Sequence, residues 1–214
     1  MSVIKDGLKL KANKWGKVEI PNCKRRELPA FFVEMGYKKG VEIGTYKGDF
    51  AERFARKGLE IWTVDPWEFT EDYHPLRLRK QSRNEVLCGM AKKKLGKYPN
   101  AHIIRKTSMK ALKDFEDESI DFVYIDGHHG LKYVIEDIYG WSRKVRKGGI
   151  ISGHDYALRR GDKVPGKPLT MQSKIAVDAY TKAFEIRKWY VLGRSEKRKG
   201  ESREAYRSWF WFKK

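Results

Sequence analysis

Short β-branched runs alternate with amphipathic helical stretches along most of this 214-residue chain, and that alternation constrains the fold more than any other feature. "KGVEIG" (39–44) reads as a buried strand ending at Gly44. "DFAERFARKG" (49–58) carries Phe50, Ala51, Phe54 and Ala55 at helical spacing, with Gly58 as a stop. "EIWTVD" (60–65) is a second strand, and a helix near 81–96 follows a polar, aromatic-bearing loop. "AHIIRK" (101–106) is a third strand, 108–115 a short helix, and "SIDFVYID" (119–126) a fourth strand. "LKYVIEDIYGWSRKV" (131–145) places Val134, Ile135, Ile138 and Trp141 on one helical face. "GGIISGHD" (148–155) is a fifth strand behind a Gly-Gly turn. This pattern predicts an α/β doubly wound, Rossmann-like parallel sheet with helices on both faces. Its crossovers are right-handed, and ligands sit at the carboxyl ends of the strands.

The ends depart from the pattern. "RELPAFFVEMG" predicts a helix covering one face. "MQSKIAVDAYTKAF" (171–184) is helical, with Ile175, Ala176, Ala179 and Phe184 expected inward. "KWYVLG" (188–193) and "YRSWFWFK" (206–213) read as strands joined by a short basic loop, so the last runs antiparallel to its neighbour. The length favours a single domain over 1–214. Within it, 1–37 is expected to be a helical cover, 38–156 the core, and 157–214 a substrate-side loop, helix and hairpin.

No apolar run approaches the ~18 residues of a membrane helix, and the start lacks a signal peptide's apolar core. Cys23 and Cys88 lie far apart without metal or redox spacing, which points to a reduced, cytoplasmic setting. The net charge of +19 favours anionic partners, nucleic acid among them. A lysine-rich solvated surface is the plainer account of the same charge. The sequence leaves the oligomeric state open, a homodimer included.

"VEIGTYKGDF" (41–50) sits where a doubly wound fold binds its first ligand. Gly44 allows a sharp turn, and Gly48 allows close approach at the helix start, where free amides face a ligand. The spacing is G-x-x-x-G, not the dinucleotide G-x-G-x-x-G. Glu42 is a carboxylate inside an apolar strand, costly unless paired or functional. Asp65 closes the second strand, where an acid can accept both hydroxyls of a ribose.

Together "VEIGTYKGDF", "WTVDPW", "SIDFVYIDGHHG" and "KGGIISGHDY" resemble the class I S-adenosylmethionine-dependent methyltransferases. They are most similar to the small branch of bacterial sugar and macrolide O-methyltransferases. The resemblance covers roughly residues 25–213 and includes "AVDAY" and the Trp- and Phe-rich hairpin. It implies a seven-stranded mixed sheet with an antiparallel strand between the fifth and sixth. It implies S-adenosylmethionine as cofactor. Glu42 then orders the glycine loop and contacts the methionine end, with Gly44, Thr45, Tyr46 and Gly48 in that loop. Asp65 binds the ribose, Pro66 and Trp67 lie beside the adenine, Ser108 lies near the adenine amine, and Asp126 lies next to the transferred methyl.

"IDGHHG" (125–130) and "SGHDY" (152–156) admit three readings. In one, Asp126 and Asp155 hold Mg2+ or Mn2+, which acidifies the attacking hydroxyl. His154 stands where the resembled enzymes place a second acid or an amide, a departure that leaves room for Mn2+ or for no metal. In another, His128 or His129 is the general base, oriented by Asp126 or Asp155. His129 lies where some of the resembled enzymes place a catalytic lysine. In the third, Asp126 and His128 cap a helix and Asp155 closes a turn. His74 and His102 carry no role.

The loops 66–80 and 156–170 combine aromatics with arginines: Trp67, Phe69, Tyr73, Arg77 and Arg79 in one, Tyr156, Arg159 and Arg160 in the other. Such pairs suit sugars, aromatic rings, phosphates or carboxylates. Base-amine methylation is disfavoured, because "DGHH" replaces the Asn/Asp-Pro-Pro-aromatic turn it needs. A small-molecule or sugar hydroxyl is the expected acceptor. The competing classes are an RNA methyltransferase, a nucleotide-binding oxidoreductase, and a non-catalytic nucleic-acid-binding protein.

Overall fold

The computed structural model describes residues 2–68, 80–157, 171–196, 198–201 and 203–214. Among these residues fifteen α-helices and strands follow one another: α1 (Val3–Gly7), β1 (Lys17–Ile20), α2 (Leu28–Glu34), β2 (Lys39–Ile43), α3 (Asp49–Ala55), β3 (Glu60–Val64), α4 (Gln81–Leu95), β4 (Ala101–Ile104), α5 (Ser108–Ala111), β5 (Ile120–Ile125), α6 (Leu131–Lys144), β6 (Val145–Gly153), α7 (Ser173–Ala183), β7 (Trp189–Leu192) and β8 (Trp209–Phe212).

Eight strands form one sheet in the order β1-β7-β8-β6-β5-β2-β3-β4. All neighbours are parallel except at β8, which runs antiparallel to both β6 and β7. The order reverses beside β2, which lies between β5 and β3. At such a switch the following helices leave on opposite faces, and a crevice opens at the carboxyl ends.

β5 is buried along its whole length, as a central parallel strand must be. Its side chains divide by the two-residue pleat. Phe122 and Tyr124 join the core under α1, α2 and α3. Val123 and Ile125 join the core under α6 and α7. Phe50, Ala51, Phe54 and Ala55 of α3 are all buried, as their spacing predicts.

Three expectations are corrected. The sheet has eight strands rather than seven, because β1 pairs in parallel with β7 along the edge. The segment 1–37 is therefore not only a helical cover. Its strand is four residues long and only alternately buried, too short to signal itself by pattern. On α7 the inward face is Ala176, Val177 and Tyr180, while Ile175 and Phe184 are exposed. Tyr180 stacks on Trp211 of β8, and burying that ring sets the helix rotation. The connection between β7 and β8 spans 193–208, so they are not joined by a short hairpin turn.

Candidate active site

The glycine loop after β2 is held from below by a polar chain. Thr63 of β3 donates a hydrogen bond to Glu42 at 2.6 Å. The Thr63 and Thr45 hydroxyls share a further hydrogen bond at 2.6 Å. Burial pushes the Glu42 carboxyl up to about 8, against the lowering effect of Thr63. Gly44 has φ +96, and a Cβ there would lie 2.1 Å from the Asp126 carbonyl oxygen. Its lack of a side chain lets the β2 loop close onto the end of β5. Gly48, at φ +80, faces Leu95 and Ala91 of α4, so its close approach is to a helix.

Asp65 follows β3 and is held by the backbone amides of Thr45, Tyr46 and Trp67. Tyr46 donates to one carboxylate oxygen at 2.9 Å and Trp67 to the other at 2.8 Å. Burial raises its pKa, opposed by those amides. Trp67 has φ +47, is buried against Leu87, Cys88 and Ala91, and donates its indole N–H to the Tyr46 carbonyl. These contacts lock the ends of β2 and β3 together.

A cleft of about 360 Å³ lies along these ends, with Tyr46, Asp65, Pro66 and Trp67 on one side and Asp126 and His128 on the other. Ser108 and Asp137 also line it. Ser108 donates to Asp137 of α6 and accepts the Trp141 indole N–H at 2.8 Å. Burial pushes the Asp137 carboxyl up to about 7, although Ser108 lowers it. A larger groove, about 610 Å³, runs along α7 beside Trp15 and Lys174; it holds none of these groups.

At the ends of β5 and β6 the paired motifs meet. His154 Nδ1 lies 3.0 Å from Asp155 Oδ1 and 3.6 Å from Asp126 Oδ1. His129 Nε2 lies 3.3 Å from Asp155 Oδ2. Arg25 reaches in from a turn before α2 and donates to Asp126 Oδ2 at 2.8 Å, while its guanidinium lies over Phe50. Burial works against the His154 charge, but Asp126 and Asp155 outweigh it and raise the pKa to about 9. His154 is thus a cation at neutral pH. His128 packs on Tyr133 with ring centroids 3.9 Å apart, and its Nδ1 accepts the Gly130 amide.

Asp126, His154 and Asp155 each offer a ligand atom within 4.8 Å of the others, a donor set that fits a divalent ion. The same carboxylates already face two cations of the chain, Arg25 and His154, and Asp155 also faces His129.

Arg25 and Asp137 escape sequence reasoning. Asp137 leaves a trace: a buried carboxylate amid Val134, Ile138 and Trp141 on the inward face of α6. Arg25 leaves none, being one of 47 Lys and Arg. His74, Phe69, Tyr73, Arg77, Arg79, Arg159 and Arg160 lie outside the described residues.

The reversal beside β2, the antiparallel β8 and the acid ending β3 define the class I methyltransferase fold. The sequence model of a methyltransferase-domain family matches residues 41–156, more than half of the chain, and the protein belongs to that family. The oxidoreductase alternative falls with this assignment. Solved structures agree in fold. The O-methyltransferase from Bacillus cereus in complex with S-adenosylhomocysteine is 14% identical, with a TM-score of 0.59, covering 99% of this chain and 89% of that one. TomG from Streptomyces achromogenes, an O-methyltransferase in complex with S-adenosylmethionine, is 14% identical, with a TM-score of 0.58, covering 88% and 79%. A curated relative in Sinorhizobium fredii, "Uncharacterized protein y4gI", is 28% identical over 133 residues, 56% of this chain but 13% of that protein. The chain thus spans only a small part of that relative's length. Among the described residues no helix is long and apolar enough to cross a membrane.

Proposed function

We propose that the protein uses S-adenosylmethionine to methylate a hydroxyl oxygen of a small acceptor, such as a sugar or a phenol. The observation that carries this reading is the meeting of Asp126, His129, His154 and Asp155 at the adjacent ends of β5 and β6, across β2 from Asp65. The cleft's donor set suits the cofactor. Asp65 accepts amides from Tyr46 and Trp67 on its two oxygens, with the Thr45 amide beside them, and a carboxylate's roughly four acceptor positions leave capacity for a ribose hydroxyl. Pro66 and Trp67 line the cleft where they would hold the adenine, and Asp126 lines its other end, where it would meet the methyl group.

When bound, the cofactor supplies a methyl group activated on a sulfonium. The chain aligns the acceptor oxygen and removes its proton. His129 takes this proton. Asp155, which faces Nε2, holds the ring in place. His154, a buried cation, holds the Asp155 carboxyl below the usual carboxylate range, and Arg25 pairs with Asp126.

A second reading is supported by the clustering of Asp126, His154 and Asp155. These residues would hold Mn2+ or Mg2+, which would acidify the hydroxyl. Ion binding then requires His154 to lose its proton, because an imidazolium has no lone pair to offer.

Calorimetry with S-adenosylhomocysteine, with and without Mg2+ or Mn2+, tests the cofactor on wild type, Asp65→Ala and Asp155→Ala. No heat from wild type overturns the methyltransferase reading. Turnover of a hydroxyl acceptor that survives chelator but is lost in His129→Ala supports the general base. Turnover abolished by chelator and restored by Mn2+ favours the metal.

A further inference from the structure

The groove of about 610 Å³ along α7 has its opposite wall in the turn that leads into β1. That turn is pinned. The Asn13 side chain accepts the backbone amides of Trp15 and Lys17, each at 3.0 Å. Trp189 of β7 donates its backbone amide to the Gly16 carbonyl at 2.9 Å and its indole N–H to the Trp15 carbonyl at 3.3 Å. The Trp15 backbone is therefore fixed, yet its side chain is left in solvent, 61% exposed. An indole held open on a rigid turn offers a flat apolar face at little ordering cost.

Cations from both walls converge on this ring. Lys14 Nζ lies 5.1 Å from its centroid, and Lys182 Nζ, from α7, lies 5.6 Å from it. Arg187 lines the groove just beyond the end of α7. Lys17 and Lys174, also in the lining, are paired with Glu19 and Asp178. Among the described residues, Lys14, Lys182 and Arg187 have no carboxylate partner, although Glu185 shares the lining. Two ammonium groups at one indole repel each other, and a chain of +19 gives no general relief. An anion lying between them does. The groove follows α7 from Lys174 past its end, and the 11 residues of the helix make it about 16 Å long, enough for a chain of anions rather than one.

We infer that this groove docks single-stranded nucleic acid, with a base stacked on Trp15 and the phosphates beside it held by Lys14, Lys182 and Arg187. A basic track interrupted by an exposed aromatic face is what an unpaired strand requires. A duplex keeps its base faces covered by its own stacking, and a sulfated glycan matches the charge but has no aromatic ring. The groove shares no lining residue with the cleft at Asp65 and Asp126, so strand docking is separable from cofactor binding.

Fluorescence anisotropy of a labelled single-stranded oligonucleotide, titrated at several NaCl concentrations, tests the site. A duplex of the same length and a heparin fragment serve as competitors. The variants are Trp15→Ala, Trp15→Phe, Lys14→Ala, Lys182→Ala and, past α3 on the other face of the sheet, the exposed Lys57→Ala. Wild type is expected to bind the strand with a log–log salt slope of about −2, as three phosphate contacts require. Trp15→Ala is expected to weaken binding about 5- to 100-fold, with Trp15→Phe recovering part of the loss. Lys14→Ala and Lys182→Ala should each reduce the slope by about 0.7, and Lys57→Ala should change neither quantity. Equal melting temperatures show that the variants are folded, and a loss confined to strand binding excludes a merely structural Trp15. The site is overturned if the strand does not bind at low salt, or if duplex or heparin competes as well as the unlabelled strand. Unchanged affinity in Trp15→Ala overturns it too, as does a loss in Lys57→Ala equal to that in Lys182→Ala, since either leaves only diffuse surface charge.

Discussion

At the scale of single residues, the site is built from groups whose normal preferences are overridden. Glu42 is 1% exposed and holds its proton to about pH 8. The folded state binds that proton more tightly than the unfolded chain does, so this contribution to stability is complete below about 4.5 and is lost as pH rises through 8. Glu42→Gln is expected to flatten this part of the pH–stability curve and to stabilise the protein at pH 8 by at least about 1 kcal/mol. Urea unfolding across the pH range checks both. Gly44→Ala is expected to do the opposite. Its φ of +96 and the carbonyl of Asp126 leave no room for a methyl group. A loss of about 3 kcal/mol or more is expected, with weaker S-adenosylhomocysteine binding, because the β2 and β5 ends must part.

At the scale of elements, β8 and β1 finish the sheet. Trp209 and Trp211 of β8 are almost wholly buried, and Trp209 lies against Gly153 at the end of β6. β8 therefore presses on the strand that carries His154 and Asp155. Trp209→Ala should cost about 3–5 kcal/mol and lower turnover as well, measured by denaturation and by methyl-transfer rate on the folded fraction. β1 covers the otherwise open edge of β7. Removing residues 1–20 should expose that edge and give concentration-dependent oligomers by size-exclusion chromatography. The cleft should persist, because Arg25 and all the strands lining it remain.

At the scale of the whole molecule, 47 basic and 28 acidic residues leave a net charge of +19. Self-repulsion of that size destabilises the compact state until salt screens it. The melting temperature is expected to rise between low and moderate NaCl, and a flat profile would show that the ion pairs offset the excess locally. Much of the acid is already placed against cations, as in Asp117 with Arg143 and Lys144, or Asp121 with Arg146. The surplus lies on the surface, where it sets which anions approach but not the fold.

The strand–helix alternation from 39 to 155 was legible without coordinates because each element buries a face, and burial imposes its period on the sequence. Asp65, Asp126 and Asp155 were legible for a related reason: each sits at a strand's carboxyl end, where the chain must leave the sheet. Other features had no such local cause. β1 exists because β7 needs a neighbour, and four residues cannot announce that alone. The rotation of α7 follows from Tyr180 meeting Trp211, a contact between segments distant in sequence. Arg25 reaches Asp126 across 101 positions, and Ser108 finds Asp137 across 29. Period and turn chemistry act over a few residues, so the sequence by itself determined the layers and the sheet edge where the candidate site lies. Which cation faces Asp126 and which acid closes the cleft were decided only when packing brought remote segments together.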